Sequence, residues 1–107
     1  MAFALLPSES YLITNGETDL VTFSVATTIK SVRLTNTSAS TVAGVILYFR
    51  YDGVAGNAVA RVIEVDLAAK QSVVLDGGPW NFGAGGKISG IAGTTNVVNL
   101  HFTPATI

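Results

Sequence analysis

Hydrophobic and polar residues alternate with period two along most of the chain, in short stretches rich in β-branched residues and divided by turn formers. Tyr11–Thr14 predicts a first strand, ended by Asn15-Gly16, a dipeptide suited to a tight hairpin turn. Leu20–Val25 sets Leu20, Thr22 and Ser24 against Val21, Phe23 and Val25, and the second set is expected to face a core. Val32–Thr35 turns Val32 and Leu34 inward, Ser31 and Arg33 outward. The following Asn36-Thr-Ser-Ala-Ser-Thr41 reads as a polar turn whose side chains bond their own backbone.

Val45–Tyr51 carries the strongest strand pattern. Val45, Leu47, Phe49 and Tyr51 line one face, and Ile46, Tyr48 and Arg50 line the other. Both faces are apolar or amphipathic, so the second is expected to be covered as well. Asp52–Asn57 reads as a loop, Ala58–Asp66 as a strand, Ala68–Gln71 as a turn and Ser72–Asp76 as a strand. Asp76–Gly86 is a glycine-rich loop bearing Pro79, Trp80 and Phe82. Lys87–Ala92 and Asn96–Thr103 close the chain, joined by Gly93-Thr94-Thr95. In the last strand Val98, Leu100 and Phe102 point inward, while Val97, Asn99, His101 and Thr103 point outward.

No window of useful length shows apolar residues at helical spacing. About eight short, mostly antiparallel strands predict an all-β chain forming a single β-sandwich, jelly-roll or immunoglobulin-like. The Cys…Trp…Cys framework of antibody domains is absent. Residues 1–107 are expected to form one domain, with 1–9 as an N-terminal arm.

Composition changes this picture in one respect. Charged residues are 12% of the chain, about half the usual share, and the mean hydropathy is +0.50. Yet no apolar run is long enough to span a bilayer. So few charges suit a subunit that hides surface against neighbours. The net charge is −1, and the six basic residues are scattered singly, which argues against a nucleic-acid partner. There is no cysteine, which excludes disulfides and thiolate chemistry. The N-terminus lacks a basic stretch and a long apolar segment, so an unprocessed product made in a cytoplasm is expected.

No motif supports catalysis, a cofactor or a metal. His101, the only histidine, lies on the outward set of a strand and needs no special role. Glu64 and Asp66 stand on one strand face roughly 7 Å apart by strand rise, superficially like an inverting glycosidase pair. Acids so spaced are ordinary on a solvated face, and neither has the apolar setting that raises a catalytic pKa. Gly85-Gly86-Lys87 resembles the end of a phosphate loop, but Asn81 and Ile88 occupy positions where that motif needs glycine and a hydroxyl. Asp52 and Asn57 do not have the spacing of a helix–loop–helix calcium site and suit a turn. Asn36-Thr37-Ser38 matches a glycosylation acceptor only formally, without a secretion signal.

Surfaces are the better candidates. Trp80 and Phe82 either plug the open end of the sandwich or anchor a partner, since aromatics serve both purposes. Phe3, Leu5 and Leu6 before Pro7 would dock on a neighbour if the arm is free. Ile46, Tyr48 and Arg50 on the second face of the central strand are a third candidate interface. Trp80, Phe82 and Tyr51 together would make a sugar-stacking platform in a carbohydrate- or receptor-binding module.

The stretch Val32-Arg-Leu-Thr-Asn-Thr-Ser-Ala-Ser-Thr-Val42 resembles small virion structural proteins of tailed bacteriophages. So do Asp66-Leu-Ala-Ala-Lys-Gln-Ser-Val-Val-Leu75, the aromatic/glycine loop after it, and Gly86-Lys-Ile-Ser-Gly90. Lys70 and Gln71 stand where those proteins commonly have Gly and Glu. The resemblance spans residues 30–102 and consists of turn-and-strand patterns. It implies a β-sandwich component of a particle: a capsid decoration (cement) protein, or a neck, tail or baseplate piece. The expectation is a non-enzymatic homo-oligomer, a trimer, that grips other virion proteins such as the major capsid protein. It would be located in the virion after synthesis in the host cytoplasm, with no membrane or nucleic-acid partner.

Overall fold

A computed structural model of the chain describes residues 4–5, 9–51 and 59–106. Among these residues the chain is all β. The strands are β1 (Ala4–Leu5), β2 (Glu9–Ile13), β3 (Thr18–Thr22), β4 (Thr27–Asn36) and β5 (Val42–Arg50), then β6 (Val59–Leu67), β7 (Ser72–Leu75), β8 (Trp80–Phe82), β9 (Lys87–Ile91) and β10 (Val98–Thr106). They form two antiparallel sheets packed as a sandwich, one of six strands counting the two-residue β1, the other of four.

The six strands of the larger sheet occupy four lanes. β1 and β2 share one edge of β10, and β7 and β8 share the outer edge of β4. The lanes run β2-β10-β4-β7 against β3-β9-β5-β6. The pairs β2·β10, β3·β9, β4·β7 and β5·β6 therefore nest one inside another along the sequence. The chain is one long hairpin with its tip between β5 and β6, coiled so that its arms pass back and forth between the sheets. That order is the jelly roll, and it decides between the two sandwich types the sequence allowed.

Alternation fills the space between the sheets. Ile13, Ile29, Val32, Leu34, Val98, Leu100 and Phe102 come from the larger sheet, and Val42, Val45, Leu47, Phe49, Leu67 and Ile88 from the smaller. All are 2% exposed or less. Each such side chain contributes about 1.5–3 kcal/mol relative to leaving it in water.

The structure differs from the pattern in four places. Strand β3 ends at Thr22, so Val25 lies beyond it and is 51% exposed instead of facing the core. Strand β4 starts at Thr27, five residues before the hydrophobic alternation becomes clear, because a register shift opposite Phe102 and Pro104 puts the inward positions Thr27 and Ile29 out of phase with Val32 and Leu34. Trp80–Phe82, expected as loop, is a strand paired with Thr27–Ile29. Ala4 and Leu5, from the stretch read as an arm, pair with Thr106 and Ala105 of the same chain. Phe3 and Leu6, the Leu5 side chain and the Asp52–Asn57 loop lie outside the described residues.

Glycine shapes the central strand. Gly44, at φ 65°, sits where the β5–β6 register shifts between Val42 and Val45. Its N–H donates to Asp66 Oδ1 at 2.9 Å. A positive φ is natural for glycine, and a bulge here restores the inward setting of Val45 after Val42.

Candidate functional site

Three surfaces bear the residues singled out from the sequence. At the aromatic end, Phe82 is 1% exposed and belongs to the core. Its ring centroid lies 5.0 Å from Phe23, 5.3 Å from Phe49 and 5.2 Å from Tyr51. Trp80 is half-buried and meets the Phe49 ring edge-on at 5.0 Å. The glycines of the loop pull the backbone onto this cluster, with the Gly83 N–H donating to Tyr51 O at 2.9 Å. Burial raises the Tyr51 phenol above its usual pKa. Phe82 therefore presents no surface to a partner. A sugar platform of Trp80, Phe82 and Tyr51 is likewise not formed, because two-residue alternation turned Phe82 inward beside Trp80 at the strand end.

On the outer face of the smaller sheet, Ile46, Tyr48 and Arg50 point away from the core, all partly covered. Ile46 lies opposite Ile91 and Glu64, Tyr48 opposite Ser89, and Arg50 opposite Lys87. Here the cations have acids beside them. Arg50 Nη2 meets Glu17 Oε2 at 2.7 Å, and Lys87 Nζ meets Asp19 Oδ2 at 3.2 Å. Ser89, fully buried, donates to Asp19 Oδ1 at 2.7 Å. That hydrogen bond, helped by Lys87, holds the Asp19 carboxyl below its usual pKa despite some desolvation.

The outer face of the larger sheet is different. Cross-strand register lines up Ser10, His101, Arg33 and Val74 in one row, and Leu12, Asn99, Thr35 and Ser72 in the next. Leu12 and Val74, at the two edges, are 48% and 60% exposed. Between them runs a polar strip with a shallow depression of about 210 Å³ on one side of the Arg33–His101 pair. A second depression of about 300 Å³ lies on the other side, against Ser10, Thr35 and Asn99. Among the described residues, no Asp or Glu stands at the outward positions of these four lanes. Glu9 faces the other way and accepts a hydrogen bond from the Tyr11 hydroxyl. Neither Arg33 nor His101 has a side-chain hydrogen bond or ion pair among the described residues.

Sequence reasoning placed Arg33 and His101 outward, each on its own strand. It did not bring them together, because the β4–β10 register joins residues 68 positions apart and no local signal encodes it. Among the described residues, no three His, Cys, Asp or Glu side chains are grouped to hold a metal ion. The sequence matches no protein-family model and no curated protein. The class defined by fold and surface is thus a jelly-roll sandwich in which, among the described residues, one outer face is internally ion-paired and the other sets the unpaired side chains of Arg33 and His101 between exposed apolar residues.

Proposed function

We propose that the chain is a non-enzymatic structural subunit of a tailed-phage particle, a decoration (cement) protein that binds the assembled head shell and stabilises it. The observation that carries this reading is the outer face of the larger sheet, where Leu12 and Val74 flank the Arg33–His101 strip. A rigid sheet with exposed apolar edges and uncompensated charge suits docking on another protein. The resemblance of residues 30–102 to small virion proteins supports the same reading. The jelly roll itself serves viral shells, lectins and cupins alike, so the fold adds a scaffold and not a function. In the particle many copies would each cover a modest area, and multivalency would make the combined grip strong. A trimer is the expected assembly, since cyclic closure lets each copy cover the same patch of its neighbour.

The test uses head shells assembled without the protein. Adding the purified chain is expected to yield co-sedimenting complexes at a fixed ratio to coat subunits, and to raise the temperature at which shells rupture. Saturating addition with neither binding nor a change in rupture temperature would remove the decoration reading. Light scattering behind a sizing column tests the trimer separately, and a clean monomer at high concentration would reject it.

A further inference from the structure

The geometry points to the Arg33–His101 pair as the binding site for a carboxylate of a partner protein, an Asp or Glu on an acidic loop laid across the larger sheet. The inference rests on the reading of that sheet as a docking face, and it names the chemistry of what docks.

Three observations lead to it. First, Arg33 and His101 are direct cross-strand neighbours, so their side chains leave the sheet side by side. Second, neither has an acceptor among the described residues, whereas Arg50 and Lys87 on the opposite face are paired with Glu17 and Asp19. A guanidinium held on a rigid strand offers a planar fork matched to a carboxylate, and charge-assisted pairs of this kind are among the strongest polar contacts. Third, polar groups surround the pair: the Ser10 hydroxyl and the Asn99 amide line the same depression, beside the Thr35 hydroxyl, which is hydrogen-bonded to Ser72 at 2.8 Å. They suit the second oxygen and the backbone of an acidic loop.

The surroundings select a protein over other anions. Nucleic acid needs cations repeated along a groove, but among the described residues Lys30 is the only other cation on β4, and the chain carries a net charge of −1. A small free anion is poorly served, because both depressions are shallow and lie on an open sheet face, which would leave the ion largely in water and its attraction to Arg33 screened. Leu12 and Val74 lie on either side of the strip and give a protein partner apolar contacts that an isolated anion would not use.

The experiment follows the side-chain resonances of Arg33 and His101 in the isotope-labelled full chain during titration with a glutamate-rich peptide. Parallel titrations use a lysine-rich peptide and a thymidine oligonucleotide. Saturable shifts at Arg33 and His101 with the acidic peptide alone are expected. Affinity should fall at least about tenfold in Arg33→Gln and less in Arg33→Lys, while Lys30→Gln stays near the parent. Backbone amide spectra of the variants confirm the fold. No saturable shift, an equal loss in Lys30→Gln, or tighter binding of the oligonucleotide would overturn the assignment. Shells lacking the protein separate this inference from the decoration reading. If the parent chain ignores shells but the peptide shifts persist, the carboxylate site stands without the virion. If Arg33→Gln binds shells as tightly as the parent, the carboxylate site is rejected and the decoration reading survives.

Discussion

The side-chain amide of Asn36, at the end of β4 in one sheet, donates to the main-chain carbonyl of Leu67, at the end of β6 in the other, at 3.1 Å. The same Nδ2 reaches Ser40 O at 2.7 Å and Ala68 O at 3.1 Å, and Oδ1 accepts from the N–H and hydroxyl of Ser38. Asn36 has no exposed surface, so water cannot replace these partners. Asn36→Ala is therefore expected to cost about 2–4 kcal/mol, the sum of lost bonds and stranded carbonyls. Asn36→Asp should cost more, because it turns a donor into a charged acceptor facing three carbonyls. Urea unfolding measures both, and a loss below about 0.5 kcal/mol for the alanine variant would show that the amide is not a tie between the sheets.

Gly78 makes a second tie that only one residue type permits. Its N–H donates to Lys30 O at 3.1 Å, and a Cβ at this position would stand 2.3 Å from that oxygen and 2.7 Å from Ile29 O. Both obstacles are backbone of β4 and cannot swing aside. Gly78→Ala should lower stability by more than about 2 kcal/mol, which for a domain of this length is a drop in Tm on the order of 10 °C. Gly16→Ala is the control, since a Cβ there meets nothing within 4 Å. Equal melting temperatures for the two variants would contradict the close approach.

Asn36 also shows what was legible in the sequence. The polar turn after Val32–Thr35 was apparent from residue type alone, as were the inward sets Val32/Leu34, Val45/Leu47/Phe49 and Val98/Leu100/Phe102, because period two is a local signal. That Asn36 would be buried against Leu67 was not apparent, since the contact spans 31 residues. The Trp80–Phe82 strand was hidden for a related reason. Three residues between glycines and a proline carry too little pattern, and β4 supplies the pairing. The Arg33–His101 row fails the local test in the same way: each residue is an ordinary outward position until the sheet is assembled.

The aromatic end yields an ordering. Phe82 touches Phe23, Phe49 and Tyr51 and is 1% exposed, whereas the larger Trp80 is half-buried and packs mainly on Phe49. Phe82→Ala is expected to cost about 3–5 kcal/mol by leaving a cavity between the sheets. Trp80→Ala should cost less, even though more atoms are deleted, because part of the indole already faces water. Denaturant midpoints decide the matter. A greater loss for Trp80→Ala would make the indole, and not Phe82, the plug of this end.

Alkaline titration reads the edge of the larger sheet. Burial pushes the Tyr11 phenol up to about 12, and the bond to Glu9 and its negative charge act in the same direction. The unfolded chain loses this proton near the ordinary value of about 10. Between those pH values the folded state holds a proton that the unfolded state has lost, so stability falls as pH rises through that window. The contribution of Tyr11 is present in full below the ordinary value and is lost above the raised one. It is on the order of 1–2 kcal/mol, since the group is partly exposed. Phenolate absorbance should show a late step, at about 12, that is lost in Tyr11→Phe and moves to lower pH in Glu9→Ala, where burial alone still keeps it raised. If Glu9→Ala leaves the late step in place, the hydrogen bond between Tyr11 and Glu9 contributes nothing to holding the β2 edge, and burial against Phe102, whose ring is stacked on Tyr11 at 6.0 Å, accounts for the whole shift.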